Sequence, residues 1–194
     1  KCAQALSRVS RAVVVSGDAL VDLDVPAFID AHIDGRAEMT IAITRVRDAN
    51  RFGVLDLDGE GYVRGMREKP EHVRPLESIS CGMYVINTSR LRIPQAEEAG
   101  TLDFVDLVGW ILASGGRVGT YEVVGWRDIG SPMDLLEANL EYLHSSHLRA
   151  VATRHPASRG GEIWVQGDSK SARGLLTKGR VLIGRGSSIA PSAF

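Results

Sequence analysis

The sequence predicts an α/β fold on a mixed, mostly parallel sheet, followed by the start of a parallel β-solenoid. Three observations carry that expectation. Short β-branched runs alternate with segments whose apolar residues recur at helical spacing, the pattern of strands layered against helices. One helix start, Ser131-Pro132 with Asp134 three residues after the cap, has its capping chemistry written out in full. After residue 150 the helical period stops. The chain then ends in two six-residue units, Ile183-Gly184-Arg185-Gly186-Ser187-Ser188 and Ile189-Ala190-Pro191-Ser192-Ala193-Phe194, with an aliphatic residue at every sixth position.

In order along the chain, residues 1–11 read as helix, and Ala12 to Val15 reads as a short buried strand ending at the polar turn Ser16-Gly17-Asp18. Pro26, behind Asp24 as a cap, opens a helix with Phe28, Ile29 and Ile33 on its inner face and Gly35 at its end. Ala37 to Val46 alternates Met39, Ile41 and Ile43 with Thr40, Ala42 and Thr44, the period of a strand. Phe52 to Met66 has the form of a hairpin turning at Asp58-Gly59-Glu60-Gly61. A strand over Ile79 to Ile86 follows a Pro-containing loop. From Asp103, residues Phe104, Leu107, Val108, Ile111 and Leu112 mark a helix stopped by Gly115-Gly116, and Val118 to Val124 is again a strand. The helix capped by Ser131 runs through Leu135, Leu136, Leu140 and Leu143. Residues 1–150 therefore form one domain, 151–162 a linker around His155-Pro156-Ala157-Ser158-Arg159-Gly160-Gly161, and 163–194 the solenoid start.

Composition narrows the function classes. With 23 Lys and Arg against 24 Asp and Glu among 194 residues, the net charge of −1 gives no bulk attraction to nucleic acid or anionic membrane. At 44% hydrophobic and 24% charged, the chain is that of a soluble globular protein. No apolar run reaches the roughly 18 residues of a membrane span. Arg8 and Arg11 interrupt what would be a signal-peptide core, so a cytoplasmic protein is expected. Cys2 and Cys81 fit no zinc spacing and are expected as reduced thiols, and the five histidines show no ligand spacing. Phe104, Trp110 and Trp126 are expected to pack as core.

Four ordered segments carry more. Val15-Ser16-Gly17-Asp18, Arg67-Glu68-Lys69-Pro70, Ser80-Cys81-Gly82-Met83-Tyr84 and Trp126-Arg127-Asp128-Ile129-Gly130-Ser131-Pro132 resemble the nucleotidyltransferases that make nucleotide-sugars, most closely the mannose-1-phosphate guanylyltransferase branch. The resemblance runs from about residue 10 to 150. It implies a Rossmann-like nucleotidyltransferase domain, continued by a left-handed β-helix. It also implies that Asp18 and Asp128 bind Mg²⁺, which takes hard oxygens from one or two carboxylates plus substrate phosphates. Lys69 would contact the phosphate of a sugar-1-phosphate as a compact point charge, and Glu68 would accept hydrogen bonds from sugar hydroxyls. Gly53 and Gly82 would let the sugar approach backbone that a Cβ would obstruct, with Gly17 in a similar position. Plainer readings stand beside these: a turn former at Asp18, a solvated carboxylate at Asp128, a surface ion pair at Glu68 and Lys69, and bulge glycines.

The reaction implied is attack of a sugar-1-phosphate oxygen on the α-phosphorus of a nucleoside triphosphate, with release of pyrophosphate. Mannose-1-phosphate with GTP is the leading pair, and glucose-1-phosphate with thymidine or uridine triphosphate stays open. The full-length protein is expected to be a homo-oligomer with no nucleic-acid or membrane partner. One departure matters: the family's Gly-rich loop, of the form G-G-x-G-T-R-L-x-P-L-T, occurs nowhere in the chain. The expectation is a chain truncated at both ends, inactive alone, with an open sheet edge and exposed apolar surface. The competing readings are a non-catalytic regulatory or scaffolding subunit and, more remotely, an acyltransferase in the solenoid.

Overall fold

The computed structural model describes residues 8–91, 103–156, 159–167 and 175–189, which fall into two units, 1–128 and 129–194. The first contains β1 (Arg11–Val15), β2 (Ala19–Asp22), α1 (Val25–Asp34), β3 (Met39–Val46), β4 (Gly53–Leu57), β5 (Val63–Glu68), β6 (Glu77–Asn87), α2 (Phe104–Ala113), β7 (Val118–Glu122) and β8 (Gly125–Asp128). Cap chemistry sets both helix starts. The Asp24 side chain accepts the Ala27 N–H ahead of α1, and Asp103 and Asp106 form a reciprocal capping box ahead of α2. The β4–β5 turn is closed by Asp58, whose carboxylate accepts the N–H groups of Glu60 and Tyr62.

The sheet has the order β5-β4-β6-β3-β7, with β1 also on β6. It is mixed. β1, β3, β4 and β7 share one direction, and β5 and β6 oppose it, so only β3 and β7 are direct parallel neighbours. Its two faces carry separate cores. Met39, Ile41, Tyr84 and Ile86 pack with Leu107, Val108 and Ile111 of α2, while Ala42, Cys81, Met83 and Val85 pack with Phe28 of α1. Covered on both faces, β3 is buried from Met39 to Ile43 even though its sequence alternates.

Two expectations need correction. β1 is not a buried strand: its residues alternate, with Val14 packed against the core that holds α2 while Val13 and Val15, on the opposite face, are 39% and 56% exposed. On α1, Ile33 is exposed and His32 is buried in its place, since the residue four after Phe28 is the one that faces the sheet. Phe104, Trp110 and Trp126 pack on the rims of the cores, half-buried.

The second unit holds α3 (Pro132–His144), α4 (His147–Val151), β9 (Thr153–Arg154), β10 (Arg159–Val165) and β11 (Leu176–Ile183). Ser131 caps α3 by accepting the Asp134 N–H. Leu135, Leu136 and Leu140 of α3 are about half exposed, and its buried residue is Ala138. β9 and the first residues of β10 fall within 151–162. β10 and β11 are parallel, with Ile163 opposite Val181 and Val165 opposite Ile183, over a small core that Leu175 and Ile189 complete. The Arg180 guanidinium donates to Glu162 at 2.6 Å and to the Leu143 carbonyl at 2.8 Å, joining β11 to the end of α3. Cys2, most of the helix expected over residues 1–11 and most of the last six-residue unit lie outside the described residues. No described helix is long and apolar enough to cross a membrane.

Candidate functional site

The sequence-selected residues gather around a break in the pairing of β6. One edge of β6 is lined by β3. The other is shared end to end, with β1 opposite residues 83–87 and β4 opposite 78–79. At the junction the β3 register slips: Ile41 faces Tyr84 but Ile43 faces Ser80, so Cys81, Gly82 and Met83 stand against Ala42 alone. Gly82 takes the left-handed conformation this requires, at φ +75°. A Cβ on it would lie 2.7 Å from Ser16 Oγ, so only glycine lets the end of β1 close onto the bulge. The Ser16 N–H donates to the Gly82 carbonyl at 2.8 Å and pins that end.

Beyond Ser16 the chain turns through Gly17 and Asp18 into β2, whose antiparallel partner is β8, with Ala19 opposite Asp128. The turn thus puts Asp18 one residue from the position facing Asp128. Asp18 is exposed and Asp128 half-buried, and among the described residues neither is drawn into an ion pair or hydrogen bond. No described cluster has three or more His, Cys, Asp or Glu side chains placed for a metal. Two uncommitted carboxylates without nitrogen or sulfur donors are the chemistry Mg²⁺ accepts, provided substrate phosphates and water complete its shell. A Cβ at Gly17 would touch nothing within 4 Å, so the protein's own packing does not demand glycine there.

The hairpin supplies the other side. Gly53 opens β4 opposite Glu68, and a Cβ on Gly53 would press on the Met66 methyl and lie 3.2 Å from Glu68 Oε2. Since Val54 pairs with Ile79, Gly53 stands level with Ser80 beside the bulge. Lys69 follows at φ +42°, its N–H held by the Phe52 carbonyl at 3.1 Å and its Nζ 3.6 Å from Glu68 Oε1. The Lys69 side chain of that pair is 67% exposed and the Glu68 side chain 42%.

Ser80 and Tyr84 belong to the quoted segment but carried no assigned role, and the structure gives them one. Ser80 Oγ accepts the Gly82 N–H at 3.3 Å and donates to the Tyr84 hydroxyl at 2.9 Å, while the Tyr84 ring stacks on Phe104 with centroids 3.9 Å apart. Burial raises the Tyr84 pKa above its ordinary value, the Ser80 hydrogen bond opposes that shift, and the Asp103 and Glu68 carboxylates add to it. Tyr84 is therefore a neutral phenol near Glu68. The one sequence signal for this pair is the glycine between them, which marks a bulge within an apolar strand. Trp126, two residues before Asp128, packs edge-on against Phe52 at 5.0 Å, and its buried indole N–H has no partner among the described residues.

Comparison with known proteins shows the family and the fold. The family described as "Nucleotidyl transferase" matches residues 1–145. A mannose-1-phosphate guanylyltransferase of Mycobacterium tuberculosis is 32% identical over 185 residues, covering 93% of this chain and 49% of that protein. The chain thus spans about half the length of this curated relative. A putative glucose-1-phosphate thymidylyltransferase from Bacillus anthracis, crystallised with sucrose, superposes with a TM-score of 0.61 at 22% identity, covering 72% of this chain and 57% of that one. HddC from Yersinia pseudotuberculosis, complexed with GMP-PN, superposes with a TM-score of 0.57 at 23% identity, covering 72% and 60%. The two structures share the fold, and the family match includes every residue brought together around the β6 bulge: the chain belongs to the nucleotidyl transferase family.

Proposed function

We propose that the protein joins a sugar-1-phosphate to a nucleoside triphosphate with release of pyrophosphate, and that mannose-1-phosphate and GTP are its substrates. The observation that carries the reading is the convergence at Gly82, which brings the Asp18 and Asp128 strand pair and the Glu68-Lys69 hairpin end to one break in the sheet. The substrate pair leans on the 32% identical relative, while the structural neighbours keep thymidylyl transfer in view.

Glu68 accepts hydrogen bonds from sugar hydroxyls, and Lys69 places its ammonium against the sugar phosphate, releasing its exposed pairing with Glu68 as it does so. Asp18 and Asp128 would hold Mg²⁺, which when bound supplies charge neutralisation where two polyanions must meet. The sugar phosphate oxygen then forms a bond to the α-phosphorus in line, and the bond to pyrophosphate breaks. Alignment by the protein does most of the work, and no covalent protein intermediate is needed.

For the second unit we read β10 and β11 as successive coils of a β-helix. What supports this is their parallel pairing and an offset of 18 residues between Ile163 and Val181, three six-residue units. A regulatory subunit is the weaker reading of the whole chain, because it gives no reason for two uncommitted carboxylates at one end of the β2–β8 pair.

The test is pyrophosphate release by the intact gene product over a panel of sugar-1-phosphates and nucleoside triphosphates with Mg²⁺. Mannose-1-phosphate with GTP should be fastest, and Asp18→Ala and Asp128→Ala should each lower the rate about 100-fold or more. Wild-type rates in either variant would remove the metal assignment, and no release with any pair would remove the reading itself.

A further inference from the structure

Two arginines and two carboxylates close a ring at the foot of the loop that begins with Lys69. Asp56 on β4 accepts Nε and Nη2 of Arg67, both at 3.2 Å, and Nη2 of Arg74 at 3.1 Å. Glu77, the first residue of β6 and only 4% exposed, accepts the backbone N–H of Arg74 at 3.0 Å and its Nε at 3.2 Å, and stands 3.7 Å from Arg67 Nη2. Each arginine touches both carboxylates, and the four charges cancel. The arrangement suits forked guanidinium groups: Arg67 is bidentate on Asp56, and Arg74 reaches Glu77 through Nε and Asp56 through Nη2, two separate nitrogens in one fixed plane that a single ammonium does not reproduce. Arg67 lies two residues before Lys69 and Arg74 three residues before Glu77, so the ring ties together both ends of the β5–β6 connection.

Between those ends, Lys69 occupies the left-handed region, immediately before Pro70. Residues with a Cβ rarely adopt that conformation, and a following proline ordinarily pushes its predecessor to extended backbone. Such a conformation persists only where its surroundings over-determine it. The Lys69 side chain does not do so, being 67% exposed beside an exposed Glu68. The Lys69 N–H is fixed by its hydrogen bond to the Phe52 carbonyl, and the ring clamps the chain on either side of it, at Arg67 and at Arg74.

We propose that the Asp56–Arg67–Arg74–Glu77 ring is a positioning device that holds Lys69 in its left-handed conformation and thereby sets where its ammonium meets the substrate phosphate. The second half of that statement rests on the reading of Lys69 given above.

The test uses Arg74→Ala and the charge-matched Arg74→Lys in the intact gene product, since Arg74 is 69% exposed and its loss opens no core. Two readouts are taken: hydrogen exchange of the Lys69 amide, and separate KM values for sugar-1-phosphate and nucleoside triphosphate. In both variants the Lys69 amide should exchange about tenfold faster or more while amides of β3 and β6 keep their protection. KM for sugar-1-phosphate should rise about tenfold, with KM for the triphosphate within about twofold of wild type. Unchanged Lys69 exchange in Arg74→Ala overturns the ring's hold on the backbone, whatever the kinetics. Wild-type exchange and KM in Arg74→Lys overturn the need for a fork. An unchanged sugar-1-phosphate KM in Lys69→Ala overturns the substrate reading of Lys69 and the second half of the proposal with it, while amide exchange still decides the first half.

Discussion

At Gly82 one missing Cβ permits three things at once: a left-handed backbone, a register slip against β3, and the close approach of Ser16. Gly82→Ala should therefore cost about 1–3 kcal/mol of stability from backbone strain and the Ser16 clash together, read as a lower denaturant midpoint with an unchanged slope. A wild-type midpoint would mean that the bulge relaxes freely. This residue was legible in the sequence, because a glycine inside an apolar strand already announces a bulge. What the sequence could not give was its neighbour: Ser16 lies 66 positions away, and nothing local links the two. Next to it, burial pushes the Cys81 thiol up to about 12, so it stays protonated and unreactive at neutral pH. Cys81 is free and buried.

At the scale of elements, His32 joins α1 to the sheet. Its Nδ1 lies 2.9 Å from Thr40 Oγ1 on β3 and its Nε2 3.3 Å from Asn87 Oδ1 on β6. The Asn87 amide nitrogen donates to the Ala37 carbonyl and to Glu38, so its oxygen faces the ring. The network thus assigns the proton to Nε2 and leaves Nδ1 to accept from Thr40. Burial lowers the His32 pKa below the ordinary 6.5. The Asn87 hydrogen bond opposes this, Arg11 adds to it, and Glu38 opposes it. A depressed native value means that the unfolded chain binds the proton first. The stabilisation is complete above about pH 6.5 and is lost as pH falls from there through the native value. Urea midpoints should drop between pH 7 and pH 5 in the wild type, and His32→Gln should flatten that part of the profile; an identical slope in the variant would exclude His32 as its source. Periodicity pointed to Ile33 for this buried position. Hydrophobic pattern cannot reveal a polar side chain that is buried because Thr40 and Asn87 satisfy it.

For the molecule as a whole, the layered fold, the hairpin and the capped helices were readable because each is written in local sequence: Asp24, Asp58, Asp103 and Ser131 all act within a few residues of themselves. β2 was not, since Ala-Leu-Val-Asp is too short to show a period, and its pairing with β8 spans more than a hundred residues. The site inherits that difficulty, because its parts meet only through long-range register. β1 shows a physical cost as well. Val13 and Val15 stand exposed on a strand paired on one edge among the described residues, a surface prone to self-association. Val13→Lys should lower self-association in sedimentation experiments while changing stability by less than about 0.5 kcal/mol, as exposed substitutions usually do. Equal association of wild type and variant would place the sticky surface elsewhere. The shared strand β6 also sets the order of assembly. The β4–β5 hairpin closes locally, but Arg11 reaches Asn87 only across 87 − 11 = 76 positions. Loop-closure entropy therefore makes β1 a late arrival. The break at Gly82 is complete only with β1 in place, so the geometry of the candidate site hangs on the pairing of β6 that has the greatest sequence separation among the described strands.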